Sequence, residues 1–352
     1  MDGVLSYAHR RMIKLMQTKV YNLCFLGFGN VARALVALLT EKREEVRGRY
    51  GIEWRITGVA TRRIGRHAAP EGFDPAALLR DEMSSHTASH ADVRAWLRAA
   101  ECNVLFETTS LEPHMGQPAI GHIRAALEAG AHVVTANKGP VVHAYDELSE
   151  LARAHGRRFL FEAAVADCLP VFSLFRETLP AARVLGFRGA LNSTTTIILE
   201  ALAAGQTFDE GVRRAQALGV TETDPSYDVD GWDTAVKVCA LARVLMGAEL
   251  KPAEIEREGI RALDASEVRA AQAEGQPYKL IARAERDKNG RLLACVHPAR
   301  VAADDPLSMA RGTSLLLQFQ LDVLPGLVIM AEQPNLKSTA YGLLADFINA
   351  VR

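Results

Sequence analysis

The sequence predicts an α/β protein built from two domains. Between residues 20 and 158, short apolar segments alternate with helical ones, which is the pattern of a parallel sheet with helical crossovers. Between residues 278 and 331, a turn of Asp-Lys-Asn-Gly predicts a β-hairpin, and further apolar segments predict additional strands of a sheet. A chain of 352 residues is long enough for both. We therefore expect a Rossmann-type domain over 20–158, completed by 333–352, and an α+β domain over 159–332.

The composition argues against several classes of protein. A net charge of −1 gives no support for binding to nucleic acid or to a membrane surface. No apolar run approaches the roughly 18 residues of a membrane span. Five cysteines without a Cys-x-x-Cys pair predict reduced thiols and therefore a cytoplasmic protein. Residues 1–19 are basic and lack a signal-peptide pattern, so we expect a leader outside the first domain.

The first cofactor signal is a glycine-rich turn. An apolar strand over 20–26 is followed by Gly-Phe-Gly-Asn-Val-Ala and then by a helix to about residue 40. The first glycine permits the tight turn, the second lets the backbone approach a pyrophosphate, and the helix N-terminus favours the anion. Strand, turn and helix together predict a dinucleotide site. Its expected contacts in this turn are Gly27, Phe28, Gly29, Asn30 and Val31.

The second strand, over 54–60, bears on cofactor preference. NAD-selective sites usually carry an acid after this strand for the ribose hydroxyls, whereas Arg62 and Arg63 could bind a 2′-phosphate. We therefore favour NADP(H) over NAD(H), and ordinary solvated arginines are the alternative. Residues 64–100 are predicted to be irregular, with helical pieces near 75–80 and 91–99.

Two further strands place polar residues at the same edge of the sheet. The strand over 103–107 is followed by Thr108 and Thr109, and the strand that begins at His132 ends in Asn-Lys. Rossmann-type sheets bind ligands at the carboxyl ends of their strands, so we expect both threonines to contact the cofactor. Lys138 can meet a substrate carboxylate or a phosphate there, and an exposed loop lysine is the alternative.

The predicted second domain begins with a strand from residue 159 and a helix over 170–178. After a strand over 184–191 comes Asn-Ser-Thr-Thr-Thr-Ile-Ile, whose β-branched residues are compatible with a strand alone. A short helix over 208–218 follows. The hairpin, strands over 315–321 and 327–331, and a closing helix from about residue 339 complete the pattern.

The stretch from 221 to 237 carries five carboxylates and a single lysine. Pro225 keeps its first half out of a helix interior. Asp228 and Asp230 stand where N-caps belong, and Asp233 and Lys237 lie four residues apart on the helix that follows. One interpretation is a capped surface helix with an ion pair worth only about 0.3–0.5 kcal/mol. The other is an acid–base couple in a cleft, where the lysine moves a proton and the aspartate orients it.

Residues 222–237 resemble the signature of homoserine dehydrogenases. That signature consists of an acid, Asp-Pro, further acids, Gly-x-Asp and a final lysine, and this chain has Glu-Thr-Asp-Pro-Ser-Tyr-Asp-Val-Asp-Gly-Trp-Asp-Thr-Ala-Val-Lys. The resemblance implies that Lys237 donates and accepts the proton and that Asp233 supports it. It also implies that Glu222 and Asp228 help to hold an amino-acid substrate.

The resemblance extends over nearly all of 20–351 and implies further roles. The family carries Ala-Asn-Lys at Lys138, and its lysine faces substrate and nicotinamide. It also has a helix that opens after Asn192, which implies that Ser193 and Thr194 touch the substrate. A segment similar to the family's Glu-Ala-x-Val implies a monovalent-cation site built largely from backbone carbonyls. Its expected members are Glu162, Val165, Asp167 and Leu169.

The function implied is that of an NAD(P)-dependent homoserine dehydrogenase, which interconverts L-homoserine and L-aspartate 4-semialdehyde in threonine and methionine biosynthesis. The family forms homodimers through the second sheet, and we expect neither a kinase half nor a regulatory domain. The chain departs from the family pattern at Cys168, Thr196, Ile197 and 332–335. Two alternatives therefore stay open: a related oxidoreductase acting on another hydroxy or amino acid, and a dinucleotide-binding protein without catalysis.

Overall fold

A computed structural model of the protein describes residues 18–82, 89–221 and 223–352. Two six-stranded sheets form its framework, which confirms the predicted α/β class. Residues 1–17 of the leader predicted for 1–19 lie outside the described residues, and so does Glu222. None of the helices in the described ranges combines the length and the apolar character needed to cross a membrane.

The first sheet consists of β1 (Lys19–Leu26), β2 (Ile52–Thr61), β3 (Gly65–Phe73), β4 (Val104–Glu107), β5 (His132–Thr135) and β6 (Phe159–Leu160). Its strand order is β3-β2-β1-β4-β5-β6, and all neighbours run parallel except β2 and β3. The carboxyl ends of β1, β4 and β5 therefore meet at one edge. The sheet extends to Leu160, two residues past the predicted end of the first domain, and the domain limits otherwise stay a prediction.

In the described part of 18–160, these strands are connected by α1 (Asn30–Glu41), α2 (Arg43–Tyr50), α3 (Pro75–Leu79), α4 (Val93–Ala99), α5 (Ala119–Glu128) and α6 (Lys138–Ala154). α1 buries one apolar face that includes Leu35, Val36 and Leu39, as the helical spacing of these residues requires. Asp74 and Asp92 cap α3 and α4 with their carboxylates. The helical pieces predicted near 75–80 and 91–99 are present.

The prediction of irregular structure after β2 was wrong, because residues 65–73 form β3. The segment Gly-Arg-His-Ala-Ala-Pro-Glu-Gly-Phe lacks the apolar alternation of a half-buried strand and contains proline, which is usual only at sheet edges. Antiparallel pairing with β2 holds it at the edge of the sheet. The indole of Trp96 adds a hydrogen bond of 2.8 Å to the carbonyl oxygen of His67. β2 is the neighbouring strand in the sequence, but β3 itself lacks the apolar pattern of a strand and Trp96 is distant, so local patterning did not reveal it.

The second sheet consists of β7 (Val184–Ala190), β8 (Glu256–Arg257), β9 (Tyr278–Arg286), β10 (Leu292–Arg300), β11 (Leu315–Leu321) and β12 (Leu327–Ala331). Its order is β12-β11-β7-β9-β10-β8. All pairs are antiparallel except β8 with β10. The predicted hairpin is confirmed, because β9 and β10 pair from Arg286 opposite Leu292 to Tyr278 opposite Arg300.

The second half contains α7 (Ala163–Ala166), α8 (Val171–Ser173), α9 (Ser193–Ala203), α10 (Phe208–Ala217), α11 (Ser226–Val229), α12 (Trp232–Met246) and α13 (Ala265–Ala273). A π-helix (Leu174–Thr178) follows α8, and 3-10 turns cover Pro252–Glu254 and Pro306–Met309. The β-branched run after residue 192 opens a helix and does not form a strand. The Asn192 carboxamide accepts the backbone N–H of Thr195 at 2.9 Å, and the hydroxyls of Thr195 and Thr196 donate to the Asn192 carbonyl.

The last helix, α14 (Leu336–Val351), returns to the first sheet. It packs against α1, and Phe347 stacks edge-on with Phe106 of β4. Its N-cap is Asn335, within the 332–335 turn where the chain departs from the family pattern. The two halves share one continuous apolar core that includes Leu105, Val133 and Ala282. α12 also packs against α6, which begins just after β5 of the first sheet.

Candidate active site

The glycine-rich turn between β1 and α1 has the geometry of a dinucleotide site. Gly27 has φ +88°, and a Cβ there would lie 2.5 Å from the carbonyl oxygen of Thr108. The hydroxyl of Thr108 donates to the Gly27 carbonyl at 2.9 Å, which fixes the turn against β4. Gly29 stands in front of α1, and a Cβ there would meet no protein atom within 4 Å. The space beside Gly29 is therefore open to a ligand.

Glu107 and Asn137 lie at the carboxyl ends of β4 and β5, and neither was assigned a role from the sequence. The fully buried Glu107 carboxylate accepts hydrogen bonds from the backbone N–H of Thr109 at 3.1 Å and from the Thr135 hydroxyl at 2.9 Å. Burial raises the pKa of Glu107. Asn137 receives the Gly139 N–H at 3.0 Å and so caps α6. A glutamate at the end of the apolar run Val-Leu-Phe was the available signal, because such a buried acid needs specific partners.

A cleft of about 520 Å³ opens beside the turn. It is lined by residues from β1, β2, β3, the loop after β4 and α5, among them Gly27, Arg62, Thr109 and His122. Nδ1 of His122 is buried and has no hydrogen-bond partner among the described residues. Burial, with the help of Arg66, lowers the pKa of His122 to about 4. The imidazole of His122 is therefore neutral at pH 7 in the lining of this cleft.

Arg62 and Arg63 line different cavities. Arg62 lines the 520 Å³ cleft, whereas Arg63 lines a smaller pocket of about 100 Å³ with Phe28, Arg33 and Ile64. Phe28 packs edge-on against Phe25 and under the Arg33 guanidinium. The two arginines are therefore not equivalent toward a cofactor in the cleft. Asn30 and Val31 begin α1, next to Gly29.

Substituting alanine for each glycine in turn separates a fold effect from a binding effect. We expect Gly27→Ala to lower the free energy of unfolding by about 1–3 kcal/mol, because its left-handed backbone and the Thr108 carbonyl oppose a side chain. We expect Gly29→Ala to leave stability unchanged and to raise the KM for the dinucleotide about tenfold, equal to about 1.4 kcal/mol. Chemical denaturation and cofactor titration measure the two effects. An unchanged KM in Gly29→Ala contradicts a pyrophosphate at this turn.

Lys237 and Asp233 form a close pair on α12. Nζ of Lys237 lies 2.9 Å from Oδ2 of Asp233 and donates to the carbonyl oxygen of Leu191 at 2.6 Å. The side chains are only 12% and 14% exposed. The interpretation of a solvated surface ion pair is therefore wrong, because both side chains are largely buried.

Lys138 joins this pair from the first sheet. It is the first residue of α6, directly after β5, and its Nζ lies 3.4 Å from Oδ1 of Asp233. Its side chain is 19% exposed, so it is not a solvated loop lysine. Asp233 thus lies between two lysines that come from different halves of the chain.

Asn192 links the lysine pair to Asp228. Its side-chain N–H groups donate to Oδ1 of Asp228 at 2.7 Å and to Oδ2 of Asp233 at 3.2 Å. The other oxygen of Asp228 accepts from the hydroxyls of Thr194 and Thr221, each at 3.0 Å. The N-terminus of α9 and the acidic stretch are therefore held as one unit. Ser193 donates to the carbonyl of residue 313 at 2.9 Å and so faces the neighbouring turn.

The charges of this cluster determine its protonation. Burial alone would lower the pKa of Lys237, but the adjacent Asp233 carboxylate raises it overall. Burial alone would raise the pKa of Asp233, but Lys237 and Lys138 hold it well below its usual range. Burial and the nearby Asp233 charge raise the pKa of Asp228. At neutral pH the cluster therefore holds an ammonium on Lys237 opposite an ionised Asp233.

The predicted N-caps of α12 were wrong. The helix begins after Gly231, which is in the left-handed conformation at φ +81°, and no side chain caps it. Asp228 belongs to the preceding short helix, and Asp230 is bound to Arg261 at 3.0 Å. Because α11 stands before this tight turn, the Asp228 carboxylate faces Asn192 and not the end of α12.

The predicted cation segment lies around α7. Both oxygens of the Glu162 carboxylate accept backbone N–H groups, from Phe172 at 2.6 Å and Ser173 at 2.7 Å. The Asp167 carboxylate accepts the Thr339 hydroxyl at 2.8 Å. Val165 and Leu169 are buried. Within the three described ranges, no group of three or more His, Cys, Asp or Glu side chains could hold a metal ion.

Three positions of departure from the family pattern have structural roles. Thr196 and Ile197 are buried on α9. Burial and the Asp167 charge raise the pKa of Cys168, so its thiol is not an activated nucleophile. The structure thus brings Lys237, Asp233, Lys138, Asp228 and Thr194 together, and Lys138 follows β5, two strands from the β1 that ends in the glycine turn.

Two family models match the chain. The model described as homoserine dehydrogenase matches residues 170–348, and the one described as the homoserine dehydrogenase NAD-binding domain matches residues 27–162. An NAD(+)-dependent homoserine dehydrogenase of Pseudomonas canavaninivorans is 33% identical over 336 residues, which cover 94% of this chain and 96% of that protein. A homoserine dehydrogenase of Methanocaldococcus jannaschii is 30% identical over 341 residues, or 93% and 98% of the two chains.

Solved structures agree with this match. A hyperthermophilic archaeal homoserine dehydrogenase in complex with NADPH is similar with a TM-score of 0.78 at 26% identity, covering 94% of this chain and 98% of that one. The family model over 170–348 spans half of the chain, and it contains the Lys237–Asp233 pair. The chain belongs to the homoserine dehydrogenase family.

Proposed function

We propose that the protein interconverts L-homoserine and L-aspartate 4-semialdehyde with a nicotinamide dinucleotide as cofactor. The observation that carries this proposal is the cluster of Lys237, Asp233 and Lys138, because Lys138 follows β5 at the sheet edge that also carries the glycine-rich turn. The cluster joins side chains from both halves of the chain, which supports a proton carrier that acts on a substrate held between them. When bound, the dinucleotide supplies or accepts the hydride.

Lys237 is the proposed carrier of the proton at the substrate oxygen. In the reducing direction its ammonium protonates the oxygen of the former aldehyde, and in the oxidising direction its neutral amine takes the hydroxyl proton. Asp233 holds the ammonium at 2.9 Å and thereby sets its orientation. The carbonyl of Leu191 provides a second fixed acceptor, so the lysine has little freedom to turn away.

The charges around the pair suit an amino acid. Lys138 is the proposed partner of the substrate carboxylate, and Asp228, together with Glu222, the proposed partner of its ammonium. Asp228 already accepts from Asn192, Thr194 and Thr221, which keeps its carboxylate in place. Ser193 and Thr194 complete the proposed substrate contacts at the start of α9.

The direct test follows the absorbance of reduced nicotinamide with purified protein and L-homoserine at alkaline pH. We expect turnover with NADP⁺ and with NAD⁺ in separate assays. If the folded protein shows no turnover with either cofactor, the proposal is refuted. Turnover of another hydroxy acid in place of homoserine favours the related-oxidoreductase alternative, and cofactor binding without any turnover favours the non-catalytic one.

NADP(H) is the proposed preferred cofactor, on the basis of Arg62. Because Arg62 lines the cleft and Arg63 lines a separate pocket, we expect Arg62→Ala to raise the KM for NADP⁺ about tenfold, equal to about 1.4 kcal/mol, with little change for NAD⁺. Arg63→Ala is the matched control and should change both constants little. Equal effects of Arg62→Ala on the two cofactors contradict a 2′-phosphate contact, and an NAD⁺ preference of the unaltered protein refutes the proposal.

Three further properties belong to the proposal. The face of the second sheet that carries Arg188 and Gln318 is the proposed homodimer interface, for which light scattering should give twice 38.3 kDa.

All five cysteines are free, which supports a reducing, cytoplasmic setting. A monovalent cation near α7 would have to use backbone carbonyls, since the Glu162 carboxylate is occupied, and exchanging potassium for a large organic cation tests for it.

A further inference from the structure

A separate cavity of about 240 Å³ lies in the second half of the chain. It forms where α9, α13 and the start of β9 meet the turn that includes Ser308 and Arg311. Apolar walls come from Leu199, Ala203 and Val268. No residue that lines it belongs to the Lys237 cluster or to the cofactor cleft. The reaction proposed above leaves this cavity without a role.

Lys279 is the unusual residue of this cavity. It is only 4% exposed, and its ammonium donates to the carbonyl oxygen of Ala310. An ammonium has three N–H donors, and burial with one neutral acceptor leaves it poorly compensated. In the described parts of the chain, Lys279 forms no ion pair. Burial lowers its pKa, the charge of Glu200 opposes this shift, and the charge of Arg311 adds to it.

The other charges in the cavity leave an excess of positive charge. Arg311 adds an exposed guanidinium to the lining. Glu200 is the acidic residue in the lining, and both oxygens of its carboxylate face partners other than Lys279. One oxygen accepts the backbone N–H of Gly312 at 2.9 Å, and the other lies 3.9 Å from Arg214. A small anion is therefore the ligand that this lining suits.

We propose that the cavity binds a small oxyanion, a carboxylate or a phosphate, between the ammonium of Lys279 and the guanidinium of Arg311. The remaining N–H groups of both side chains supply donors, and the Gln272 amide adds one from α13. The cavity is smaller than the pockets of drug-sized ligands, which begin at about 300 Å³. Val268 and Ala203 leave room for a short apolar chain on a carboxylate.

The site is connected to the substrate-binding residues by the segment 310–313. Ala310 contacts Lys279 through its carbonyl, Gly312 is held by Glu200, and the carbonyl of Thr313 accepts the Ser193 hydroxyl at 2.9 Å. An anion that fixes Lys279 and Arg311 therefore also fixes the support of Ser193 at the start of α9. This coupling rests on the proposed function, and it lowers the KM for homoserine without changing kcat, because Lys237 and Asp233 are untouched.

Binding is tested by thermal unfolding with inorganic phosphate or acetate, at an ionic strength held constant with chloride. We expect a saturable rise in Tm for at least one of the two anions, which also identifies the oxyanion class. Arg311→Gln should weaken that response at least tenfold. Lys288→Gln removes an exposed charge at the hairpin tip and should leave it unchanged. This comparison assigns the response to the cavity, because the cofactor cleft also holds anion-binding groups.

A response that is absent, or equal in the unaltered protein and Arg311→Gln, overturns the site. Lys279→Met provides a second variant that keeps the buried stem and should abolish the response. For the coupling, saturating anion should lower the KM for homoserine about fivefold in the unaltered protein and leave Arg311→Gln unchanged. Binding with a constant KM overturns the coupling alone. If the unaltered protein shows no turnover at all, the proposed function is refuted. The Tm measurement still tests whether the cavity binds an anion.

Discussion

Replacing Lys237 with methionine is expected to reduce kcat about 10²- to 10⁴-fold in both directions. The substitution removes the group that holds the proton next to Asp233 while it keeps most of the buried stem. Binding of the dinucleotide should be unchanged, because the glycine turn and the cleft lie in the first half of the chain. Steady-state kinetics and cofactor titration separate the two effects.

Lys288→Ala serves as the control, since Lys288 is exposed at the turn between β9 and β10 and contacts neither site. Circular dichroism should show that both variants are folded. A Lys237→Met enzyme with more than about one-tenth of the normal kcat contradicts the proton role, because general acid–base catalysis contributes at least about 100-fold. Lys138 is then the cation to examine, as it also contacts Asp233.

Asp233→Asn should change the pH dependence as well as the rate. Oxidation of the alcohol needs the neutral amine of Lys237, so its rate rises with pH up to the lysine pKa. Because Asp233 raises that pKa above its ordinary value, the rise should continue beyond about pH 10.4 in the unaltered protein. Reduction needs the ammonium and should fall over the same range.

In Asp233→Asn the attraction that favours the ammonium is gone, and burial, which favours the neutral amine, remains. The proximity of Lys138 acts in the same direction once the shared carboxylate is neutral. The rising limb of oxidation should therefore move to lower pH, while kcat falls about 100-fold through lost orientation. Asp230→Asn, in the same acidic stretch but bound to Arg261, should change neither. A profile in Asp233→Asn that keeps its position shows that Lys237 is not the titrating group.

The sequence predicted those parts of the site whose geometry is local. The spacing of Asp233 and Lys237 puts both on one side of α12, and the glycine turn follows from strand, turn and helix in succession. The position of Lys138 against Asp233 depends on packing between the two halves, and no local pattern contains that distance. The capping prediction for Asp228 failed for the same reason, because its partners Asn192 and Thr194 lie more than 30 residues away.

The same division holds for the fold. β9 and β10 were predictable because two apolar segments flank an Asn-Gly turn, whereas β3 lacks apolar alternation and is also held by the distant indole of Trp96. Glu107 was overlooked because its role appears only when β4, β5 and the loop after each are brought together. Local chemistry determines which elements form, and long-range packing determines which of their side chains meet.

The path of α14 has a consequence for how the chain acquires its structure during synthesis. The Tyr21 hydroxyl on β1 donates to the carbonyl of Val351, a contact between residues 330 positions apart. The nucleotide-binding half emerges from the ribosome first, yet its α1 face stays uncovered until the last helix is released. Cofactor binding should therefore appear late in folding, after the second sheet is in place. A ribosome-bound chain that ends before residue 336 should lack it.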